Sequence, residues 1–259
     1  MIKLYNGDCL EVMKTLESNS VDLVVTSPPY DNLRNYNSII DYNKVAKELY
    51  RIVKIGGVVV WNKNDKVIKG SESLSSFKQA ITFCENGFNL NDTMIWEKTN
   101  PMPQVKQPRY NQCFEYMFVF SKGKPKTFNP IMVQCKSAGQ DYKSTCKKIS
   151  KGNERVYKEF KINKYKIDNN IWKFAVAQNK TKHTAVFPRE LPLRHITSWS
   201  NENDIVLDCF MGSGTTGVVC KELNRNFIGI ELDKNYYDIA KKRIDDEIQL
   251  NLFKEGEIK

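Results

Sequence analysis

Two short stretches combine residue types that could do chemistry. The first is Thr26-Ser27-Pro28-Pro29-Tyr30, which closes the apolar run 21–25. Each proline fixes its own φ and lacks a backbone donor, so the pair ends strand pairing at once. A rigid turn with a hydroxyl, fixed carbonyls and an aromatic ring is either a plain stop or a site displayed at a strand's carboxyl end. The second stretch is Phe210-Met211-Gly212-Ser213-Gly214-Thr215-Thr216, between an apolar run ending at Asp208-Cys209 and a helical pattern. Two glycines let backbone approach a ligand closely, and the helix that follows starts with unpaired N–H groups. The turn lacks the Gly-Lys-Ser/Thr ending that grips a nucleoside triphosphate. A G-x-G turn alone is often only a tight connection. Glu231 sharpens the reading, because an acid closing the next apolar run, about 20 residues on, is placed to accept hydrogen bonds from both ribose hydroxyls of an adenosine-containing cofactor.

The elements that must position these residues alternate. Residues 1–100 read as strand MIKLYN, helix CLEVMKTLES, strand VDLVVTS, helix DYNKVAKELYRIVK closed by Gly56-Gly57, strand VVVWN, helix SLSSFKQAITFCENG and strand NDTMIWEK. From about 101 to 182 regularity fails, apart from the strand-like FEYMFVFSKG. After 183 the pattern returns as helix LPLRHITSW, strand DIVLDCF, the glycine turn, helix TTGVVCKELN, strand NFIGIELD and helix NYYDIAKKRIDDEI. Strand–helix alternation on both sides predicts a mostly parallel, doubly wound sheet of the α/β class, with the middle carried as an insertion. The expected divisions are 1–124, 125–182 and 183–259.

Apolar content of 41% with 27% charged residues is that of a soluble globular chain. No apolar run approaches the ~20 residues that span a bilayer, so no membrane partner is expected, and the first residues do not read as a signal peptide. Seven cysteines without a C-x-x-C pair, and only two histidines, predict reduced thiols in a cytoplasmic protein and no metal site. Charge is unevenly distributed. Residues 121–182 hold 16 Lys/Arg against 4 acidic residues, a local excess of 12, whereas the whole chain carries +10. The remainder is therefore slightly acidic. Interleaved with Tyr142, Tyr157, Phe160, Tyr165, Trp172 and Phe174, the basic segment predicts a polyanion-binding face.

Together, TSPPY before a basic middle and FMGSGTT after it resemble the amino-group DNA methyltransferases that use S-adenosylmethionine. The order resembles the β-group of that family, a circular permutation of the common methyltransferase fold. GDCLEVM (7–13), L-x-R-I-V-K-x-G-G (49–57), MIWEKTNPMP (94–103), FEYMFVFSKGK (114–124) and HTAVFPRELPLRHI (183–196) extend the likeness over nearly the whole chain. One departure is Cys209, where the family more usually has proline before the phenylalanine.

The resemblance implies a cofactor site of Asp8, Cys9, His183, Thr184, Phe187, Asp208, Phe210, Gly212, Gly214, Thr215 and Glu231, with Glu231 at the ribose and Asp8 at the adenine amino group. Read by itself, Asp8 is also a helix N-cap. Ser27, Pro28, Pro29 and Tyr30 become the catalytic set. An exocyclic amino nitrogen is a poor nucleophile because its lone pair is delocalised into the base. Acceptors fixed around the amino hydrogens, the Ser27 hydroxyl and the Pro28 carbonyl, would turn that lone pair toward the donor's methyl. Tyr30 would stack on a base flipped out of duplex DNA. Asp31, Asn32, Arg34 and Tyr36 would line the mouth of the pocket, Arg109 would contact phosphate or guanine, and Asn100 and Pro101 would shape the floor.

Serine at the first motif position leans toward cytosine N4, with adenine N6 by the same mechanism as the alternative. RNA or protein-glutamine methylation and an inert DNA-binding module are the further alternatives. The implied partner is double-stranded DNA, and the resemblance accommodates a cognate restriction endonuclease and a homodimer without requiring either.

Overall fold

The computed structural model describes residues 1–29, 40–101, 103, 108–146, 156–176 and 188–256. In chain order the elements are β1 (Ile2–Asn6), α1 (Cys9–Lys14), β2 (Val21–Thr26), α2 (Tyr42–Ile52), β3 (Val53–Lys63), the two-residue strands β4 (Val67–Ile68) and β5 (Ser71–Glu72), α3 (Ser75–Glu85), β6 (Asn89–Lys98) and β7 (Phe114–Ser121). Then follow β8 (Met132–Gln134), β9 (Asp141–Cys146), β10 (Val156–Lys161), β11 (Tyr165–Ile167), β12 (Ile171–Phe174), α4 (Glu190–Trp199), β13 (Ile205–Asp208), α5 (Thr215–Glu222), β14 (Asn226–Glu231) and α6 (Lys234–Gly256).

Eight strands form one sheet in the order β1-β14-β13-β2-β3-β7-β6-β12. Every pairing in it is parallel except the two made by β7, which runs antiparallel to β3 and β6. The sheet is thus mostly parallel, as expected. The first strand of the chain sits at an edge beside the last, with Ile2 opposite Phe227 and Asn6 opposite Glu231.

Near-continuous apolar strands lie at the centre, since both faces are covered. Residues 58–63 of β3 are all buried, Val58 through Lys63. On one face Trp61, Phe118 and Phe120 meet Val45, Leu49 and Ile52 of α2 and Phe83 of α3. Phe83 and Phe120 stack with ring centres 4.7 Å apart. Each such fully buried side chain contributes about 1.5–3 kcal/mol.

Residues 56–57 depart from the sequence expectation. The helix α2 passes directly into β3, with Val53 extended (φ −70°, ψ 135°) as its C-cap. Gly56 and Gly57 lie inside β3, where the register with β2 shifts between Val21↔Val53 and Leu23↔Val58. Gly56 has φ +84°, and a Cβ on Gly57 would come 2.9 Å from the Asp22 carbonyl oxygen. The glycines permit this irregularity rather than end the helix.

The chain divides into two compact units, residues 1–129 with 170–259, and residues 130–169. The smaller unit holds two antiparallel pairs, β8 with β11 and β9 with β10. Strand β12, within the basic segment of the sequence, belongs to the larger unit and extends its sheet beside β6.

Candidate active site

The residues with chemical potential gather at the carboxyl ends of four neighbouring parallel strands. Asn6 leads into Gly7-Asp8, Thr26 into Ser27-Pro28-Pro29, Asp208 into Cys209-Phe210, and Glu231 ends β14. From β13 the chain crosses through α5 to β14 on one side, and from β2 through α2 to β3 on the other. Strand order therefore reverses between β13 and β2, and in open α/β sheets that crevice takes the ligand. Here it holds a pocket, partly open to solvent, lined by Gly7, Asp8, Cys9, Pro29, Ile40, Cys209, Phe210, Ile230, Glu231 and Leu232.

Glu231 is 3% exposed, and its carboxylate is anchored at both oxygens. Oε2 accepts from the Gly212 amide at 2.8 Å and Oε1 from the Asp233 amide at 2.9 Å. The glycine turn thus orients the acid that follows it by 19 residues. Asp8 is the N-cap of α1, its Oδ1 accepting from Leu10 and Glu11 at 2.9 and 3.2 Å, and it also lines the pocket. Cap and pocket wall are one residue. The Cys9 thiol is pushed up to about 12, first by burial and then by the Asp8 charge, and burial also drives the Cys209 thiol upward. Both thiols stay protonated at neutral pH and serve as apolar wall, not as nucleophiles.

Asp208 lies beneath the pocket, fully buried. Its carboxylate accepts from the Thr26 hydroxyl at 2.6 Å, the Phe210 amide at 3.1 Å and the Thr216 hydroxyl at 2.7 Å. Burial pushes its pKa up to about 6 against the pull of those bonds. One side chain therefore ties the residue before Ser27 to both sides of the glycine turn. Gly214 (φ +81°) opens α5 against α6, and Arg243 of α6 donates to the Ser213 hydroxyl at 2.8 Å. The buried Thr215 hydroxyl at the start of α5 has no hydrogen-bond partner among the described residues.

At the turn after β2, Pro28 is buried and Ser27 and Pro29 are half-buried. The Pro29 carbonyl accepts from Lys63 Nζ at 3.0 Å and from the Tyr42 hydroxyl at 3.2 Å. Neighbouring strand ends carry a buried polar group: Glu115 pairs with Lys98 at 2.7 Å and accepts from the Asn62 amide at 2.8 Å. Asn100 Oδ1 accepts from the Val176 amide at 2.9 Å, and Arg109 donates to the Gly70 carbonyl at 3.0 Å.

Tyr30, Asp31, Asn32, Arg34, Tyr36, His183, Thr184 and Phe187 lie outside the described residues. Of the other sequence candidates, Asp8, Cys9, Pro29, Phe210 and Glu231 share the pocket wall, whereas Asp208, Gly212 and Gly214 brace it. The sequence reading passed over Thr26, Tyr42 and Lys63. A signal for Lys63 exists, because period-two alternation continues the core-facing Val59 and Trp61 to it.

The pocket suits a nucleoside. Phe210, Ile230, Ile40 and Leu232 offer apolar faces to a ring, while Glu231 offers a fixed carboxylate at the rim.

Comparison with known proteins places the chain in a family. A family model described as DNA methylase, covering N6 and N4 methyltransferases, matches residues 21–242. The orphan methyltransferase M.BamHII of Bacillus amyloliquefaciens is 46% identical over 262 residues, spanning 96% of this chain and 94% of the relative. The type II methyltransferase M.SmaI of Serratia marcescens is 31% identical, spanning 93% and 90%. The crystal structure of the M1.HpyAVI–SAM complex superposes with a TM-score of 0.62 at 30% identity, over 94% of this chain and all of that one. The chain belongs to the amino-group DNA methylase family, α/β enzymes that use S-adenosylmethionine as methyl donor.

Proposed function

We propose that this chain methylates the exocyclic amino group of cytosine, at N4, in double-stranded DNA. The observation that carries the reading is the Ser27-Pro28-Pro29 turn in the same crevice as the pocket walled by Asp8, Phe210 and Glu231, with Pro29 forming part of that wall. S-adenosylmethionine supplies an electrophilic methyl group when bound. Asp8, with Ile230 and Leu232, would hold its adenine, Glu231 its ribose hydroxyls, and Phe210 with the turn through Gly212 and Gly214 its methionine end.

The remaining chemistry belongs to the chain. The Ser27 hydroxyl and Pro28 carbonyl would accept the two amino hydrogens of the target base. That pulls the nitrogen lone pair out of conjugation and aims it into the crevice. Such acceptors act only on a base flipped out of the helix, and Tyr30 would stack on it and offset part of the unstacking cost. His183, Thr184 and Phe187 would close the cofactor side. The basic segment 125–182 would grip phosphates and supply the base-reading side chains.

Serine rather than an acid at position 27 favours cytosine over adenine. M.BamHII is described as an orphan methyltransferase, which favours an enzyme without a dedicated endonuclease here too. A DNA substrate sets its work in the cytoplasm.

Incubation of unmodified genomic DNA with the protein and S-adenosylmethionine, followed by nucleoside digestion and mass spectrometry, tests the reading. N4-methyldeoxycytidine is the expected product. N6-methyldeoxyadenosine would keep the mechanism and overturn the role given to Ser27. Labelling of RNA or protein in place of DNA would overturn the substrate class.

A further inference from the structure

Lys63 is the last residue of β3 and is completely buried. It follows Val59 and Trp61 on the face of β3 that packs against α2, so its stem crosses apolar ground before its ammonium reaches the Pro29 carbonyl. A methionine would fill much of that path without bringing a charge out of water. Lysine is almost never fully buried unless its charge is engaged, so packing of the stem does not account for the residue.

The engagement is specific. Lys63 Nζ and the Tyr42 hydroxyl donate to the same Pro29 oxygen, at 3.0 and 3.2 Å. The two donors also touch each other's surroundings: Nζ lies 5.8 Å from the centre of the Tyr42 ring, and that ring stands edge-on to Trp61 at 6.2 Å.

Backbone freedom explains what this arrangement does. Ser27 precedes a proline, and so does Pro28, which confines ψ of both to the extended region. The rings of Pro28 and Pro29 fix φ at each. Apart from φ of Ser27, where the chain leaves β2, the soft torsion left in the turn is ψ of Pro29, which sets the direction of its carbonyl and of the peptide bond that follows. Lys63 and Tyr42 hold that carbonyl from two sides.

We propose that Lys63, with Tyr42, is a positioning pair that removes the backbone freedom at the Pro29 end of the Ser27-Pro28-Pro29 turn and fixes the direction in which the chain leaves it. The role rests on the turn being the acceptor site proposed above. Neither side chain need touch substrate.

The test compares wild type with Lys63→Met and Tyr42→Phe for kcat on DNA, S-adenosylmethionine affinity by calorimetry, and melting temperature. Lys63→Met should lower kcat about 10- to 100-fold, the scale of loss from sub-ångström misplacement of reacting groups. Cofactor Kd should stay within about twofold, since the wall residues that hold it are untouched. Its melting temperature, read alongside, shows whether the variant folds. Tyr42→Phe removes one hydroxyl from a half-buried ring and should cost kcat several-fold at unchanged Kd, which keeps the test open should Lys63→Met not fold. Unchanged kcat in Tyr42→Phe, or in a folded Lys63→Met, overturns the positioning role alone. So does a parallel fall of kcat, affinity and melting temperature, the pattern of a merely structural residue. Wild-type protein that labels no DNA overturns the acceptor-site reading and this proposal with it.

Discussion

Asp208 and His195 are both fully buried, and their titrations pull stability in opposite directions. Burial raises the Asp208 carboxyl to about 6. The folded state then holds that proton more tightly than the unfolded chain does. The contribution is fully present below about 3.8, the unfolded value, and is lost as pH rises through about 6. His195 packs against Trp172 with ring centres 4.6 Å apart, its Nε2 3.3 Å from the Met117 sulfur. Its Nδ1 has no hydrogen-bond partner among the described residues. Burial and then the Arg194 charge push it down to about 3. The neutral ring is compatible with the fold, so stability is intact above about 6.5 and falls as pH drops toward about 3. Between about 4 and 6 the two slopes oppose, each on the order of 1.4 kcal/mol per pH unit. Asp208→Asn should therefore make the protein lose more stability on acidification than wild type does. His195→Leu should make it lose less. Urea denaturation at pH 4.5, 6 and 7.5 reads both slopes, and parallel curves for all three proteins would remove these residues from the pH dependence.

At the scale of elements, helix α6 is the back-plate of the cofactor turn. A Cβ on Gly214 would come 2.9 Å from Ala240 Cβ and 3.0 Å from Ala240 Cα, and the residue already sits at φ +81°. Neither neighbour is a flexible side-chain end. Gly214→Ala should cost about 2–4 kcal/mol, combining left-handed strain with overpacking. The displaced turn would carry the Gly212 amide away from Glu231. Calorimetry should then show weakened S-adenosylmethionine binding together with a lowered melting temperature. A variant that melts like wild type would mean that α6 gives way and does not brace the turn.

Much of this element layout was legible in the sequence, because strand–helix periodicity, the double proline and the G-x-G turn are local signals. Gly56-Gly57 was misread for a physical reason. A helix C-cap and a strand bulge both demand what only glycine supplies, and the choice between them depends on β2, a partner strand that local signals do not reveal. The Thr26–Asp208 bond joins residues 182 positions apart, and no local pattern encodes it. Alternation through Val59 and Trp61 puts Lys63 on the core-facing side, but its bond to Pro29 spans 34 positions, and no local pattern encodes it.

At the scale of the molecule, charge is segregated between a slightly acidic remainder and a basic segment at 121–182. If that segment grips DNA as proposed, affinity must fall with salt as condensed counterions are no longer released to advantage. Duplex binding measured by anisotropy should weaken steeply between 50 and 200 mM KCl, by at least about 10-fold for a handful of phosphate contacts. Lys164 and Lys166 are exposed in and beside β11, inside the smaller unit. Converting both to Gln should flatten the log–log slope by up to about 2 and leave cofactor affinity unchanged. Lys241→Gln with Lys242→Gln, exposed on α6, removes the same net charge elsewhere. A general field effect of net charge would flatten both pairs equally, whereas contact by the basic segment flattens only the first. The paired comparison thus separates a protein that is merely positive from one whose positive charge has an address.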